Sequence, residues 1–207
     1  MPNSIKNFKT ISRAAGPVIY REKKSRFLGY AFPTSSLEAA DQELATLKKQ
    51  YADATHVCYA YRIGIENTLT RMNDDGEPAY TAGSPILGQI ASADLYDVLV
   101  CIVRYYGGIK LGAGGLSKAY KETAREILKI SPVKRLRAVS LIRLQFQYPH
   151  LEEVMAFISQ NRLKVRTRKM TLDCSIELVV SHEKSEAYCN RLQSIDGVEI
   201  HKKDTYL

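Results

Sequence analysis

The stretch Val100–Ala119, VCIVRYYGGIKLGAGGLSKA, decides how this chain is read. The apolar run Val98 to Val103 has the composition of a strand buried on both faces, and Arg104, Tyr105 and Tyr106 break it. Five glycines follow within nine positions, Gly107, Gly108, Gly112, Gly114 and Gly115, with Lys110 among them. A helical pattern is expected from about Leu116, with Leu116, Tyr120, Ala124, Ile127 and Leu128 on one face and Ser131-Pro132 as its stop. Glycine loses more backbone entropy on folding than any other residue, so such a cluster asks for a reason. A strand, a glycine turn and a helix N-terminus together offer unpaired N–H groups and the positive end of a helix dipole, which suits an anion. The spacing is neither GxxxxGK[ST] nor GxGxxG, because Lys118 follows Ser117 rather than a glycine, so no nucleotide cofactor is expected. What remains is a phosphate cradle near Gly114 to Ser117, with Arg104, Lys110 and Lys118 as charge partners. A tight turn whose glycines serve packing is the competing reading.

Upstream, Val18–Tyr20 and Phe27–Phe32 read as strands joined by a polar turn, Glu22 to Ser25. Ser35 or Ser36 can cap a helix carrying Leu37, Ala40, Leu44, Leu47 and Tyr51 at spacings of three and four. Cys58–Ile63 is a third strand, Asn73–Pro78 a loop, and Ile86–Ala91 a short helix. Downstream of Pro132 the rhythm changes. Alternating strands at Val139–Phe146, Leu163–Met170 and Leu172–Val180, a final strand from Val198, and helices opening at Pro149 and about Glu183 give the order βαββαβ. That is the ferredoxin-like arrangement, four antiparallel strands covered on one face by two helices. Two domains are expected, 1–132 and 133–207, in an α+β chain.

The 207 residues carry a net charge of +8. Residues 1–132 hold 17 basic and 13 acidic side chains and residues 133–207 hold 13 and 9, so each part is +4 and no tail carries the basicity. This favours polyanionic partners such as RNA, though weakly. The four cysteines form no CxxC pair or metal-ligand spacing, the N-terminus (MPNSIKNFKT) is polar, and no apolar run approaches membrane-spanning length. A reducing cytoplasmic location without membrane partners is expected.

Three further constellations bear on chemistry. Asp74, Asp75 and Glu77 place three carboxylates in four positions. They could hold Mg²⁺ for phosphodiester cleavage, form an Asp/Gly/Pro turn, or pair with the basic glycine stretch. His56 has no second ligand at metal spacing and reads as structural, and Cys58 has no visible activator. Arg162, Lys164, Arg166 and Arg168 alternate along a strand and form a secondary basic face on the uncovered side of the ferredoxin-like sheet. Without an aromatic pair on adjacent strands, that face would meet RNA through phosphates, or else pair with Asp173 and Glu177.

Four segments taken together resemble one family: Lys24-Ser25-Arg26-Phe27; Ala54 to Arg62; Asn73 to Pro78 with Thr81 to Pro85; and Arg104 to Gly112 with Gly114-Gly115-Leu116. They are similar to the YigZ/Impact family of translation-associated proteins in its two-domain bacterial form. The resemblance implies an N-terminal domain like the second domain of ribosomal protein S5 and a C-terminal ferredoxin-like domain, together similar to the last two domains of the translocating elongation factor. It also implies translational regulation and nucleic-acid binding without an established reaction. Eukaryotic members carry a further N-terminal domain that contacts the starvation-kinase pathway. This chain opens on the S5-like domain, so that partnership is not expected here. The expectation is a non-enzymatic nucleic-acid- or ribosome-binding protein with no cofactor, no catalytic residues and no metal. Its anion site would comprise Arg104, Gly107, Gly108, Lys110, Gly112, Gly114, Gly115 and Lys118. The alternative is a metal-dependent phosphodiesterase or other hydrolase using Asp74, Asp75 and Glu77.

Overall fold

The structure, a computed structural model, describes residues 7–65 and 67–207. Most of the polar N-terminal segment lies outside the described residues. The chain divides into two compact units, Phe8–Arg135 and Leu136–Leu207, the latter with Asn7.

The first unit contains β1 (Phe8–Ile11), β2 (Ala15–Glu22), β3 (Ser25–Pro33), α1 (Leu37–Gln50), β4 (His56–Ile63), β5 (Leu69–Asn73), α2 (Gly83–Ser92), β6 (Val98–Tyr105) and α3 (Gly112–Ile130), and it closes with β7 (Val133–Leu136). Strands β2-β3-β6-β4-β5 form one antiparallel sheet. β6 is its central strand, which explains its unbroken apolar run. Val98, Val100 and Ile102 pack into a core with α2 and α3, whereas Leu99, Cys101 and Val103 face the core under α1. Ser36 caps α1, its Oγ accepting from the Ala39 N–H at 3.2 Å.

β1 and β7 pair with each other in a separate ribbon, and β5 edges the main sheet. All three were unforeseen, being four or five residues long and, in LTRMN and VKRL, half polar. α3 begins at Gly112, four residues before the expected start. Its buried face (Leu116, Ala119, Tyr120, Thr123, Ala124, Ile127, Leu128) supplies the reason. Each large apolar side chain in it is worth ~1.5–3 kcal/mol on burial, more than the ~1 kcal/mol per glycine that a glycine-rich first turn loses.

The second unit runs β8 (Ala138–Gln147), a single 3₁₀ turn (Tyr148–His150), α4 (Leu151–Gln160), β9 (Lys164–Lys169), β10 (Asp173–Ser181), α5 (His182–Gln193) and β11 (Val198–Tyr206). Its strand order, β11-β8-β10-β9 with every pair antiparallel, is ferredoxin-like. Ile142, Leu144, Phe146, Ile176 and Leu178 pack against Val154, Phe157, Ile158 and Leu192 of the two helices. No helix among the described residues of this unit packs on the other face of the sheet. The expected α+β class therefore holds in both units: an S5-second-domain-like sandwich, then a ferredoxin-like domain. No helix among the described residues is long and apolar enough to cross a membrane.

Candidate nucleic-acid interface

The acidic loop is built into the fold by its own backbone. Ala82, the residue before α2, has no side-chain oxygen to cap that helix, and Asp74 caps it from eight residues upstream. Its Oδ1 accepts from the N–H groups of Ala82 (2.9 Å) and Gly83 (2.8 Å), and its Oδ2 from Tyr80 N–H (2.9 Å). Desolvation pushes the Asp74 pKa up, but these three donors outweigh it and hold the carboxyl below its ordinary range. Asp75 Oδ2 accepts from Val57 N–H at 2.7 Å, and Oδ1 meets Lys48 Nζ at 3.1 Å. His56 Nδ1 lies 2.7 Å from the Asp75 carbonyl. The loop therefore joins β4, α1 and α2.

Glu77 reaches the glycine stretch. It is 8% exposed, and its Oε1 sits 2.5 Å from Arg104 Nη1, accepts from Tyr120 OH at 2.8 Å and lies 3.9 Å from His56 Nε2. Arg104 is 5% exposed, its guanidinium carbon 5.4 Å from the ring centroids of both Phe27 and Tyr106. This corrects the expectation that Arg104 meets an external phosphate. The guanidinium points into the core, where an unpaired charge would be costly, and Glu77 neutralises it. Its Nε is buried without a hydrogen-bond partner among the described residues. Cys58 Sγ lies 3.1 Å from the Asp74 carbonyl and 3.3 Å from Tyr120 OH. Burial, with smaller contributions from the nearby carboxylates, pushes the Cys58 thiol up to about 12, so it stays protonated and unreactive at neutral pH. Burial also raises the Tyr120 pKa, helped by Cys58 and Glu77.

The glycines divide into two kinds. Gly107 is required by packing: a Cβ there would lie 2.1 Å from the carbonyl carbon of Lys24, and Ser25 Oγ accepts from Gly107 N–H at 3.2 Å. Gly112 and Gly114 are exposed, and a Cβ on either would meet nothing within 4 Å, although Gly112 (φ +71°), like Gly108 (φ +81°), holds a left-handed backbone that itself calls for glycine. Leu111, at the N-cap, supplies no side-chain acceptor, and the first turn of α3 holds no acidic residue. The N–H groups of Gly112, Ala113 and Gly114 are those that intrahelical bonding leaves open in any helix. Lys110 and Lys118 are both exposed, and neither has an ion-pair partner among the described residues. Of the expected set, Gly108, Lys110, Gly112, Gly114 and Lys118 are thus exposed on the glycine stretch and the start of α3, Gly115 packs on Leu111, and Gly107 and Arg104 hold the segment in place.

The secondary basic face also needs correction. Arg162, Lys164, Arg166 and Arg168 are all exposed, but the register of β9 on β10 shifts between Glu177 and Leu178. Beyond this bulge Arg168 stands opposite Ile176, whose side chain is in the core, and Lys169 takes the open-face position opposite Ser175. Glu177 pairs with both Arg143 and Arg166 at 3.3 Å.

Sequence reasoning missed Tyr120 and the singular role of Glu77. A tyrosine on the buried face of a helix needs a partner for its hydroxyl, which was the available signal.

The sandwich with its glycine-rich strand-to-helix junction defines an Impact-type domain, and the family description "Impact N-terminal domain" matches residues 23–128. The chain belongs to the IMPACT family. It is 33% identical to an IMPACT family member of Haemophilus influenzae over 84% of this chain and 87% of that one. It is 35% identical to the IMPACT family member YigZ of Escherichia coli over 72% and 74% of the two chains. A solved structure described as a hypothetical protein covers 95% of this chain and 97% of its own, with a TM-score of 0.66 and 27% identity.

Proposed function

We propose that this protein is a non-enzymatic nucleic-acid- or ribosome-binding protein that acts in translational regulation in the cytoplasm. The supporting observation is the junction ahead of α3. Gly112 and Gly114 are exposed at a helix start that no side chain caps, and the neighbouring Lys110 and Lys118 have no acidic partner among the described residues. Phosphate oxygens are the natural complement of that arrangement, through the N–H groups, the helix dipole and two ammonium charges. Family membership supports the translational setting. The groups that would serve a hydrolase are engaged otherwise: Asp74 and Asp75 hold backbone N–H groups, Glu77 holds Arg104, and the Cys58 thiol is protonated.

Co-sedimentation with ribosomes at graded salt tests the reading. Wild type should move into the ribosomal fraction at low salt and leave it as salt rises. Lys110→Ala/Lys118→Ala should bind more weakly, with a salt slope shallower by about one per lysine. Unchanged binding by that double variant, or none by wild type at any salt, would refute the assignment.

A further inference from the structure

The open face of the second unit carries a different kind of site. Its composition follows from the strand register: Arg143 of β8, Lys164, Arg166 and Lys169 of β9 and Lys203 of β11 share it with Asp173, Glu177 and Glu199. Arg143 and Arg166 are both tied to Glu177, while Lys164, Lys169 and Lys203 have no ion-pair partner among the described residues. The bulge in β9 produces this arrangement, because without it Lys169 would turn to the helix side. At one end of the same face lies a groove of about 670 Å³ whose open-face lining is Gln145, Gln147, Lys169, Asp173, Ser175 and Glu199, completed by Phe146, His150, Cys174 and Gly197. That volume is within the ~300–1,000 Å³ typical of small-molecule sites.

The lining states what fits. Two amides and a hydroxyl both donate and accept, and two carboxylates accept only. The carboxylates repel phosphate but welcome amino groups and ribose hydroxyls, so the groove suits a base or sugar. The three unpaired lysines suit the phosphates on either side. No Phe, Tyr or Trp stands among these open-face positions, and their one aromatic ring is His201, opposite Arg143; with Phe146 buried and His150 half-buried at the groove, the base would be held chiefly by hydrogen bonds rather than by stacking. A base can enter such a groove only when it is not paired in a duplex. We infer that this face binds single-stranded RNA, with phosphates along Lys164, Lys169 and Lys203 and one unpaired, amino-bearing base in the groove between Gln145 and Ser175. This rests on the RNA-binding reading above but on residues of a separate unit.

The test is fluorescence anisotropy with the full chain and labelled twelve-nucleotide A and U strands and a twelve-base-pair RNA duplex. The A strand should bind at least tenfold more tightly than the duplex, and more tightly than the U strand, which lacks an exocyclic amine. Lys164→Ala/Lys169→Ala/Lys203→Ala should weaken A-strand binding about tenfold or more and make the salt slope shallower by two to three. Gln145→Ala/Gln147→Ala should weaken it severalfold with an unchanged slope, because no charge is lost. These are exposed positions, and unaltered thermal unfolding would confirm that the variants fold. Wild-type affinity in the triple-lysine variant, equal binding of A and U strands, or displacement by polyglutamate as readily as by RNA would each overturn the inference. If wild type sediments with ribosomes through Lys110 and Lys118 but binds none of the oligonucleotides, this site falls and the α3 junction stands. If the triple-lysine variant loses the A strand while Lys110→Ala/Lys118→Ala sediments like wild type, the reverse holds.

Discussion

Replacing Glu77 by glutamine changes the shape of the buried cluster very little and its charge by one. The Glu77 side chain is 3% exposed and that of Arg104 6%, so neither water nor salt replaces the lost carboxylate. Glutamine can still accept from Tyr120 OH, but Arg104 is left as an uncompensated charge between Phe27 and Tyr106, with Nε already unpartnered. Breaking a buried pair in this way costs about 3–5 kcal/mol. A domain of this size has about 5–15 kcal/mol in total, so a large part of its stability should go. At roughly 3–5 °C per kcal/mol, the unfolding midpoint should fall by about 10–20 °C. The matching single change, Arg104→Met, should also be costly because it strands the carboxylate. The double variant Glu77→Gln/Arg104→Met removes both charges and should recover most of the loss, because neither charge is then left buried without its partner. Urea unfolding of all four proteins measures the coupling directly. If the two single changes each cost under about 1 kcal/mol, or if their costs simply add in the double variant, the pair is not the buried, mutually dependent device described here.

Asp74→Ala removes the through-space cap of α2 and should destabilise by about 1–3 kcal/mol at neutral pH. Because the Asp74 carboxyl is held below its ordinary range, its contribution is complete above the unfolded value near 3.8 and is lost as pH falls through the lower folded value. Unfolding curves of variant and wild type should therefore converge in acid, and a constant gap down to pH 2 would contradict the capping role. Tyr80 adopts φ +64° while 69% exposed, a conformation that costs a side-chain-bearing residue ~1–2 kcal/mol. Tyr80→Gly should thus stabilise by up to about 1 kcal/mol once the extra freedom of glycine in the unfolded chain is deducted, readable as a raised urea midpoint. Gly107→Ala should lower the unfolding midpoint sharply, because the added carbon has only the Lys24–Ser25 backbone to displace. Gly114→Ala meets no such obstacle and should stabilise α3 by about 0.5–1 kcal/mol while weakening ribosome co-sedimentation if phosphate approaches its backbone.

The parts of the fold that the sequence made legible are those where burial repeats with a period. The run Val98–Val103 announced a buried strand because both its faces are covered, and the alternation in Val139–Phe146 and Leu172–Val180 announced a sheet covered on one side. β1, β5 and β7 were not legible, since four or five residues are too few for a period and half of them point to solvent. At the site, clustering on paper was a poor guide to clustering in space. Arg104 and Lys110 are six residues apart, yet one is buried and the other exposed. Glu77 and Arg104 are 27 apart and share a bond. The bulge that turns Arg168 away is a property of strand pairing, absent from any single strand's alternation.

The small ribbon of β1 and β7 has a consequence for how the first unit could be rebuilt. It brings the beginning and the end of Phe8–Arg135 side by side, with Ser12 N–H donating to the Pro132 carbonyl at 2.7 Å. Paired strands lie about 5 Å apart, so a linker of a few residues would join the natural termini of the unit. New ends could then be opened at the exposed Asn67 and Thr68, just ahead of β5, giving a circular permutant with every sheet neighbour retained. The same adjacency makes the unit suitable for insertion into a surface loop of another protein, entering and leaving through one doorway.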